Sequence, residues 1–252
     1  MRGSPLGAMV VASSLMLMSA AVAQTPTPQG SSTKPAAKPP AAAAKPAPKP
    51  APTAPATAPA AEGGLDIKGF RSATFGMTQA QVKTAVTNDF GPAAKIQEGT
   101  NAEQGTQFML VMVDHLDPGP TPAQIGYVFG ATSHTLTSIN VIWATGAEPT
   151  DQERAAITQA AQQLVAYFRS GPAPAKSSQG VARIGTNGLL LYSAVDKKNA
   201  GVLVVIDGVQ YQGKTGDTPV TSPPPKGPAS LRVAYASTVQ NPDVKVLKPG
   251  SF

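Results

Sequence analysis

One short run, Asp114-His115-Leu116-Asp117, is the only place in the sequence where a histidine stands among carboxylates. Such donors could ligate a metal ion or form an acid–base pair. Adjacent residues of a strand point to opposite faces, however, and Pro118-Gly119-Pro120 follows at once, so the run equally suits a solvated strand exit. Asp114, His115 and Asp117 are therefore a candidate metal or hydrolytic site, with a polar loop as the alternative.

No other pattern in the sequence indicates catalysis. It has no Gly-x-Ser-x-Gly elbow, no phosphate-binding loop and no His-Glu-x-x-His helix. His134 lies in a predicted turn. Within the glycine-containing stretch Gly180–Gly188, the segment Gly185 to Gly188 suits a hairpin connection better than a dinucleotide cradle. We therefore predict no catalytic residues, no cofactor and no enzyme.

Aromatic side chains offer a different kind of site, a groove for a peptide or a glycan. Aromatic residues make up only 5% of the chain, so we expect the core to need each of them. The candidates are Tyr127, Phe129, Trp143, Tyr167 and Phe168. Cysteine is absent altogether, which excludes thiol catalysis, Cys-ligated metals, disulfides and a lipid-carrying N-terminal Cys.

The net charge of +6 is unevenly distributed along the 252 residues. Residues 1–61 carry five basic residues and no acidic ones, whereas residues 62–252 carry 15 basic and 14 acidic residues. The folded part is therefore close to neutral, and we predict that it does not bind nucleic acid.

The first 23 residues have the pattern of a cleavable signal peptide: Arg2, an apolar run, and small residues at Ala21 and Ala23 before Gln24. The alternative is an uncleaved membrane anchor. Residues 24–64 follow as a linker, whose first 38 residues contain 11 Pro, 13 Ala and 4 Lys. This composition cannot form a packed core, so we predict a disordered tether with no membrane span once the signal is removed.

Two helices with capping boxes are predicted in the remaining chain, one from Thr78 with Gln81 at its third position and one from Thr150 with Glu153. Gly91 and Gly171, each followed by proline, end them. Alternating or continuous apolar runs predict strands at 108–113, 125–129, 138–144, 181–184, 189–195, 202–206 and 231–236.

These elements predict an α+β fold for residues 65–252. It would contain two halves, 65–147 and 148–252, each a helix followed by an antiparallel meander of about three strands. Both helices would pack on one face of the sheet. Whether the halves are a true duplication is left open by the poor identity between them.

Two sets of sequence segments resemble those of known groups of proteins. Phe75-Gly76-Met77-Thr78, with Gly91-Pro92 and the later strand pair, resembles over residues 70–145 the SmpA/BamE-type envelope lipoproteins, although the lipid-carrying Cys is missing. The start Gly69-Phe70-Arg71-Ser72-Ala73-x-Phe75-Gly76-Met77-Thr78 and the end Pro249-Gly250-Ser251-Phe252 resemble a group of uncharacterised exported alphaproteobacterial proteins. That resemblance implies a compartment and a shared fold, and no activity.

The expected function is that of a non-catalytic binding module in the periplasm or cell envelope, or outside the cell. Its partner would be an envelope protein or peptidoglycan, bound on an open sheet face or on a strand edge near 125–129 or 202–206. Two alternatives stay open: a hydrolase or metal-dependent enzyme centred on Asp114, His115 and Asp117, and an uncleaved membrane-anchored transducer of the envelope.

Overall fold

The computed structural model describes residues 64–245 except 179, 186–187, 211, 216, 222–224 and 226. The predicted signal peptide, with Ala21, Ala23 and Gln24, and the predicted tether lie outside these residues. Within them the chain is mostly antiparallel β-sheet with two helices, so the predicted α+β class holds only in this broad sense.

Both helices begin where the capping pattern predicts. Helix α1 (Gln79–Phe90) follows Thr78, whose hydroxyl accepts from the Gln81 amide while the Gln81 side chain accepts from the Thr78 amide. Helix α2 (Asp151–Ser170) repeats this arrangement with Thr150 and Glu153. Each box satisfies backbone donors that the first turn of a helix leaves without partners, which fixes where the helix starts.

The first half of the chain contains a small hairpin and a meander. The hairpin pairs β1 (Gly69–Phe70) with β2 (Ala73–Thr74) and precedes α1. After α1, four antiparallel strands follow in order: β3 (Lys95–Asn101), β4 (Thr106–Val113), β5 (Ala123–Phe129) and β6 (Leu136–Ala144). The sequence predicted the last three of these strands but no strand at 95–101, where β3 lies.

The second half repeats the plan after α2. Two short strands, β7 (Lys176–Ser177) and β8 (Ala182–Ile184), pair with β9 (Gly188–Val195), which pairs with β10 (Gly201–Asp207). A separate hairpin of β11 (Gln212–Thr215) and β12 (Thr218–Thr221) comes next, and β13 (Ser230–Ala236) then pairs with β10. The β8–β9 pairing confirms the predicted hairpin in the Gly180–Gly188 stretch.

One pairing joins the halves. β6 and β13, each the last strand of its meander, run antiparallel along seven residue pairs centred on Val141 and Val233. The strand order is β3-β4-β5-β6-β13-β10-β9-β7, with β8 also on β9, so a single nine-stranded sheet results. The strands of each half therefore run in chain order from the edge of the sheet to the β6–β13 pairing at its middle.

The hydrophobic core lies on one face of this sheet. Helix α2 contacts β9, β10 and β13, and α1 buries Val82, Ala85 and Val86 in the same core cluster. Aromatic rings bridge the joint between the halves: Phe168 stacks on Tyr192 at 5.5 Å, and Tyr235 lies between Phe168 and Phe70. Both helices thus cover the same face, as the sequence predicts.

Candidate docking face

The predicted chemical run Asp114–Asp117 lies in the exposed connection between β4 and β5. His115 Nε2 approaches Asp117 Oδ1 at 3.3 Å, but the two side chains are 80% and 89% exposed. Asp114 is exposed as well. No group of three His, Cys, Asp or Glu side chains with metal-binding geometry occurs among the described residues. The structure therefore brings one pair of the three residues together, in solvent.

The same connection has a clear structural role. Leu116 is buried, and its carbonyl accepts a 2.9 Å hydrogen bond from Trp143 Nε1. Gly119 lies flat against the indole, so that a Cβ at this position would come within 2.0 Å of Trp143 Cδ1. The connection covers the indole with Leu116 and Gly119, and its charged residues are therefore left exposed to solvent.

The other residues considered from sequence also have structural positions. His134 is exposed in the β5–β6 turn with φ 54°. Trp143, Tyr127 and Phe129 are buried in the core, as predicted, and Phe168 packs against it. The prediction is wrong for Tyr167, which is 70% exposed, because it lies on the outer side of α2. Burial raises the pKa of the Tyr127 hydroxyl, which finds no hydrogen-bond partner within the described chain.

The predicted strand edges need correction. β5, which contains 125–129, lies between β4 and β6, and β10, which contains 202–206, lies between β9 and β13. Neither offers free backbone groups for strand addition, since both of its sides are paired. The sheet instead ends at β3 on one side and at β7 and β8 on the other. What β5 and β10 do contribute is side chains on the face away from the helices.

We call this surface the open face and define it by alternate residues of five strands. Because side chains alternate along a strand, residues in register across a sheet share a face. Three rows across β4, β5, β6, β13 and β10 form it: Met112, Gln124, Ile142, Arg232 and Val205; Leu110, Gly126, Asn140, Ala234 and Leu203; Phe108, Val128, Ser138, Ala236 and Gly201.

The open face is rich in apolar side chains that take no part in the core. None of Phe108, Leu110, Ile142 and Leu203 belongs to the core cluster or packs against it, and each is half-buried. Met112 is 52% exposed. Of the described helices and hairpins, those with contacts to the sheet lie against the other face. At the β10 margin the open face is covered in part, because a Cβ on Gly201 would lie 2.4 Å from Val239 Cγ1 and Val205 is buried. Contiguous exposed apolar side chains on a folded chain are candidates for an interaction site.

Polar groups are concentrated near the middle of the open face. Asn140 is 8% exposed and stands between Gly126 and Ala234, and no hydrogen bond from its amide joins it to a described residue. Arg232 is half-buried between Ile142 and Val205, without a carboxylate within ion-pair distance in the described part of the chain.

The charge on this face is asymmetric. Lys95 extends the Arg232 row at the β3 edge. Asp207, diagonal to Arg232 across β10 and β13, has its pKa raised by burial and lowered, to a lesser degree, by the Arg232 charge. The face therefore contains two cations, Arg232 and Lys95, and one partly desolvated carboxylate, Asp207, so it is weakly positive.

No family model matches the chain, and no curated protein or solved structure matches it either. The resemblances noted in the sequence therefore stay predictions. None of the helices in the described ranges is long and apolar enough to cross a membrane.

The sequence predicted an open sheet face as one place of binding but did not identify the residues that form it. The residues that form it are spread over five strands, and the alternation in Phe108–Val113 looks like a continuous apolar run, because both faces of β4 are apolar. The available signal was this two-sided character: Met109 and Val111 supply the core, so Phe108, Leu110 and Met112 exceed what the core needs.

Proposed function

We propose that this chain is a non-catalytic interaction module of the periplasm or cell envelope, and that it binds a protein partner on the open face. The observation that carries the proposal is the set of half-buried apolar side chains on that face, which the core cluster excludes. Burial of such side chains contributes roughly 25 cal/mol per Å². Because the helices cover only one of the two apolar faces of the sheet, burial of the other face against a partner would favour association.

The rest of the proposal is supported by sequence. The signal-like leader and the Pro/Ala/Lys-rich segment suit an exported domain on a tether. The enzyme alternative at Asp114, His115 and Asp117 gains nothing from an exposed pair of side chains. N-terminal sequencing of the protein from its native host decides between export with cleavage, which gives a chain that starts at Gln24, and an uncleaved anchor.

Site-specific photo-crosslinking in the native host tests the docking face. A photoreactive amino acid is placed singly at Leu110 or Leu203 on the open face, and at Gln152 or Gln159, which are exposed on α2. We expect a discrete protein adduct from the two open-face positions and none from the two helix positions. Equal adducts from both faces, adducts from α2 alone, or no adduct at any position would contradict the proposal. If the purified chain bound peptidoglycan sacculi and Leu110→Asp abolished this binding, the partner would be the cell wall and not a protein.

A further inference from the structure

We propose that the open face recognises an extended acidic and apolar segment of a partner polypeptide, with Arg232 as the group that pairs with its carboxylate. This inference rests on the proposed function and specifies the chemistry of the partner. The inference follows from two polar residues of the open face, Arg232 and Asn140, and from the size of the residues beside Asn140.

The guanidinium of Arg232 is placed as a recognition group. β13 is a central strand of the sheet, and Arg232 has Ile142 and Val205 as its direct neighbours in register. No hydrogen bond or ion pair connects it to any described side chain, although a guanidinium has five donors. Arginine among apolar neighbours on a surface is typical of residues that dominate binding energy, and a carboxylate matches its fork geometry.

Asn140 supplies a second free polar group in the adjoining row. It is 8% exposed, so its side chain is held by the sheet, yet its amide has no described hydrogen-bond partner. A primary amide can both donate and accept, which suits the peptide groups of an extended chain. Two independent polar groups therefore point away from the core within one small region.

The floor around Asn140 is low on the Ala234 side, whereas on the other side Leu110 Cδ2 lies 3.4 Å from where a Cβ on Gly126 would stand. Gly126 and Ala234 flank Asn140 in register, whereas the larger Leu110 and Leu203 stand at the two ends of the same row. Four strand spacings separate β4 from β10, about 19 Å at roughly 4.8 Å each, and an extended segment with its side chains needs about 10 Å. Apolar side chains of the segment would contact the leucines while its carboxylate meets Arg232.

The charge pattern favours an acidic polypeptide over nucleic acid. A phosphate backbone is bound by many cations along a groove, whereas this face has one guanidinium, with Asp207 diagonal to it, and Lys95 at the margin among apolar groups. One Asp or Glu within an apolar sequence satisfies that arrangement. A face-to-face second copy would bring two Arg232 side chains toward each other.

Selection from a random dodecapeptide library displayed on phage tests the inference on the full purified chain. Against the wild-type chain we expect enrichment of peptides that combine large apolar residues with an Asp or Glu. Selection against Arg232→Glu should replace that acidic residue by Lys or Arg. Arg169→Glu, on exposed α2, is the matched charge control and should leave the selected sequences unchanged.

Affinities of one selected peptide, synthesised with blocked ends, complete the test. Arg232→Gln should weaken binding about thirtyfold or more, which is typical when one partner of a desolvated charge pair is removed. Arg232→Glu should recover affinity when the peptide carries Lys in place of Glu. The emission spectrum of Trp143, the single tryptophan, verifies that each variant is folded.

The outcomes separate the two proposals. If Leu110→Asp abolished peptide binding while Arg232→Gln and Arg232→Glu left it unchanged, the acidic specificity would be overturned and the docking face would stand. Peptides unaffected by Leu110→Asp and Leu203→Asp would overturn the docking face itself. Self-association of the wild-type chain in sedimentation velocity, abolished by Leu110→Asp, would assign the face to a second copy and overturn the inference.

Discussion

At the scale of single residues, the carboxylate of Asp196 organises the start of the folded chain. It is 3% exposed, and it accepts from the amides of Ile67, Lys198 and Ala200 at 3.0, 2.7 and 3.0 Å. One side chain thus ties the segment before β1 to the β9–β10 turn. Because three backbone donors share this acceptor, its loss leaves them without partners, and two of the three hydrogen bonds, those from Ile67 and Ala200, are buried.

Asp196→Ala should therefore lower the free energy of unfolding by about 3 kcal/mol or more, since each unsatisfied buried donor costs about 1–3 kcal/mol. Urea denaturation followed by Trp143 fluorescence measures the change. Asp196→Asn, which keeps one acceptor oxygen, should show a smaller loss. Asp117→Ala, at a side chain 89% exposed, is the control and should be neutral. Equal stabilities of the Asp196→Ala and Asp117→Ala variants would contradict this role for Asp196.

Asp243 predicts a pH effect. It accepts from the Thr132 and Ser133 amides at 2.9 Å each, and interactions with the Ser133 side chain and these amides lower its pKa from 3.8 to about 2. A pKa lowered in the folded state means that the carboxylate stabilises the fold above its unfolded pKa, and that this contribution is lost as the pH falls from about 4 to about 2.

The stability difference between the wild-type chain and Asp243→Asn should accordingly be present at pH 6 and shrink between pH 4 and pH 2. Because Asp243 lies at the surface, the effect is small, and urea midpoints at matched pH values are the measurement. A difference that stays constant over this range would show that the charge of Asp243 is unimportant for its hydrogen bonds.

At the scale of elements, the cap of α2 is a local device whose strength can be measured. Thr150 and Glu153 exchange hydrogen bonds of 2.8 to 3.2 Å at the first turn. Thr150→Ala should lower the free energy of unfolding by about 1 kcal/mol, the usual cost of losing such a cap. Thr150→Ser keeps the hydroxyl and should cost much less. A loss of equal size in both variants would point to the threonine methyl group instead of the cap.

The β4–β5 connection offers a second prediction, with a spectroscopic readout. Gly119→Ala inserts a methyl group into the Trp143 indole, so the connection must lift and the 2.9 Å bond to Leu116 must break. We expect a red-shifted Trp143 emission and a stability loss of about 1–3 kcal/mol. Gly146→Ala is the matched control, because nothing lies within 4 Å of a Cβ there. An unshifted emission maximum in Gly119→Ala would refute the contact.

Elements differ in how far sequence predicts them, and the reason is the range of the forces involved. In each capping box the two partners are three positions apart, Thr78 with Gln81 and Thr150 with Glu153. The sequence alone therefore locates both helix starts. β3 was not predicted as a strand because Lys95–Asn101 has no regular apolar alternation and contains one large apolar residue, Ile96. Its pairing with β4 is what makes it a strand.

At the scale of the whole molecule, the order of the strands in the sheet determines which strands are neighbours, and the sequence does not show this order. The positions of β5 and β10 inside the sheet depend on the β6–β13 pairing, which joins residues about 90 positions apart. That pairing also aligns the two half-faces into one open face, and so brings Asn140 next to Ala234. A pattern read along the chain identifies the strands and their two-sided apolar character, but it does not contain the neighbours of each strand.

The β6–β13 pairing also predicts that the two halves unfold together. They share one core cluster, which includes Val141 and Trp143 from one half and Leu231 and Val233 from the other. Separating them would expose these side chains and seven residue pairs of backbone at once, so neither half is a stable intermediate. Trp143 reports on the first half. Because the chain has no cysteine, a fluorophore on Ala182→Cys, an exposed position of β8, reports on the second.

Urea transitions from the two probes should coincide in midpoint and slope. Val233→Ala, at the centre of the pairing, should shift both transitions equally, by about 1–3 kcal/mol for the loss of two buried methyl groups. If the halves were independent modules, the two probes would separate. Separation already in the wild-type chain would refute a shared core. Separation only in Val233→Ala would show that the pairing, more than the helices and aromatic rings above it, holds the halves in one cooperative unit.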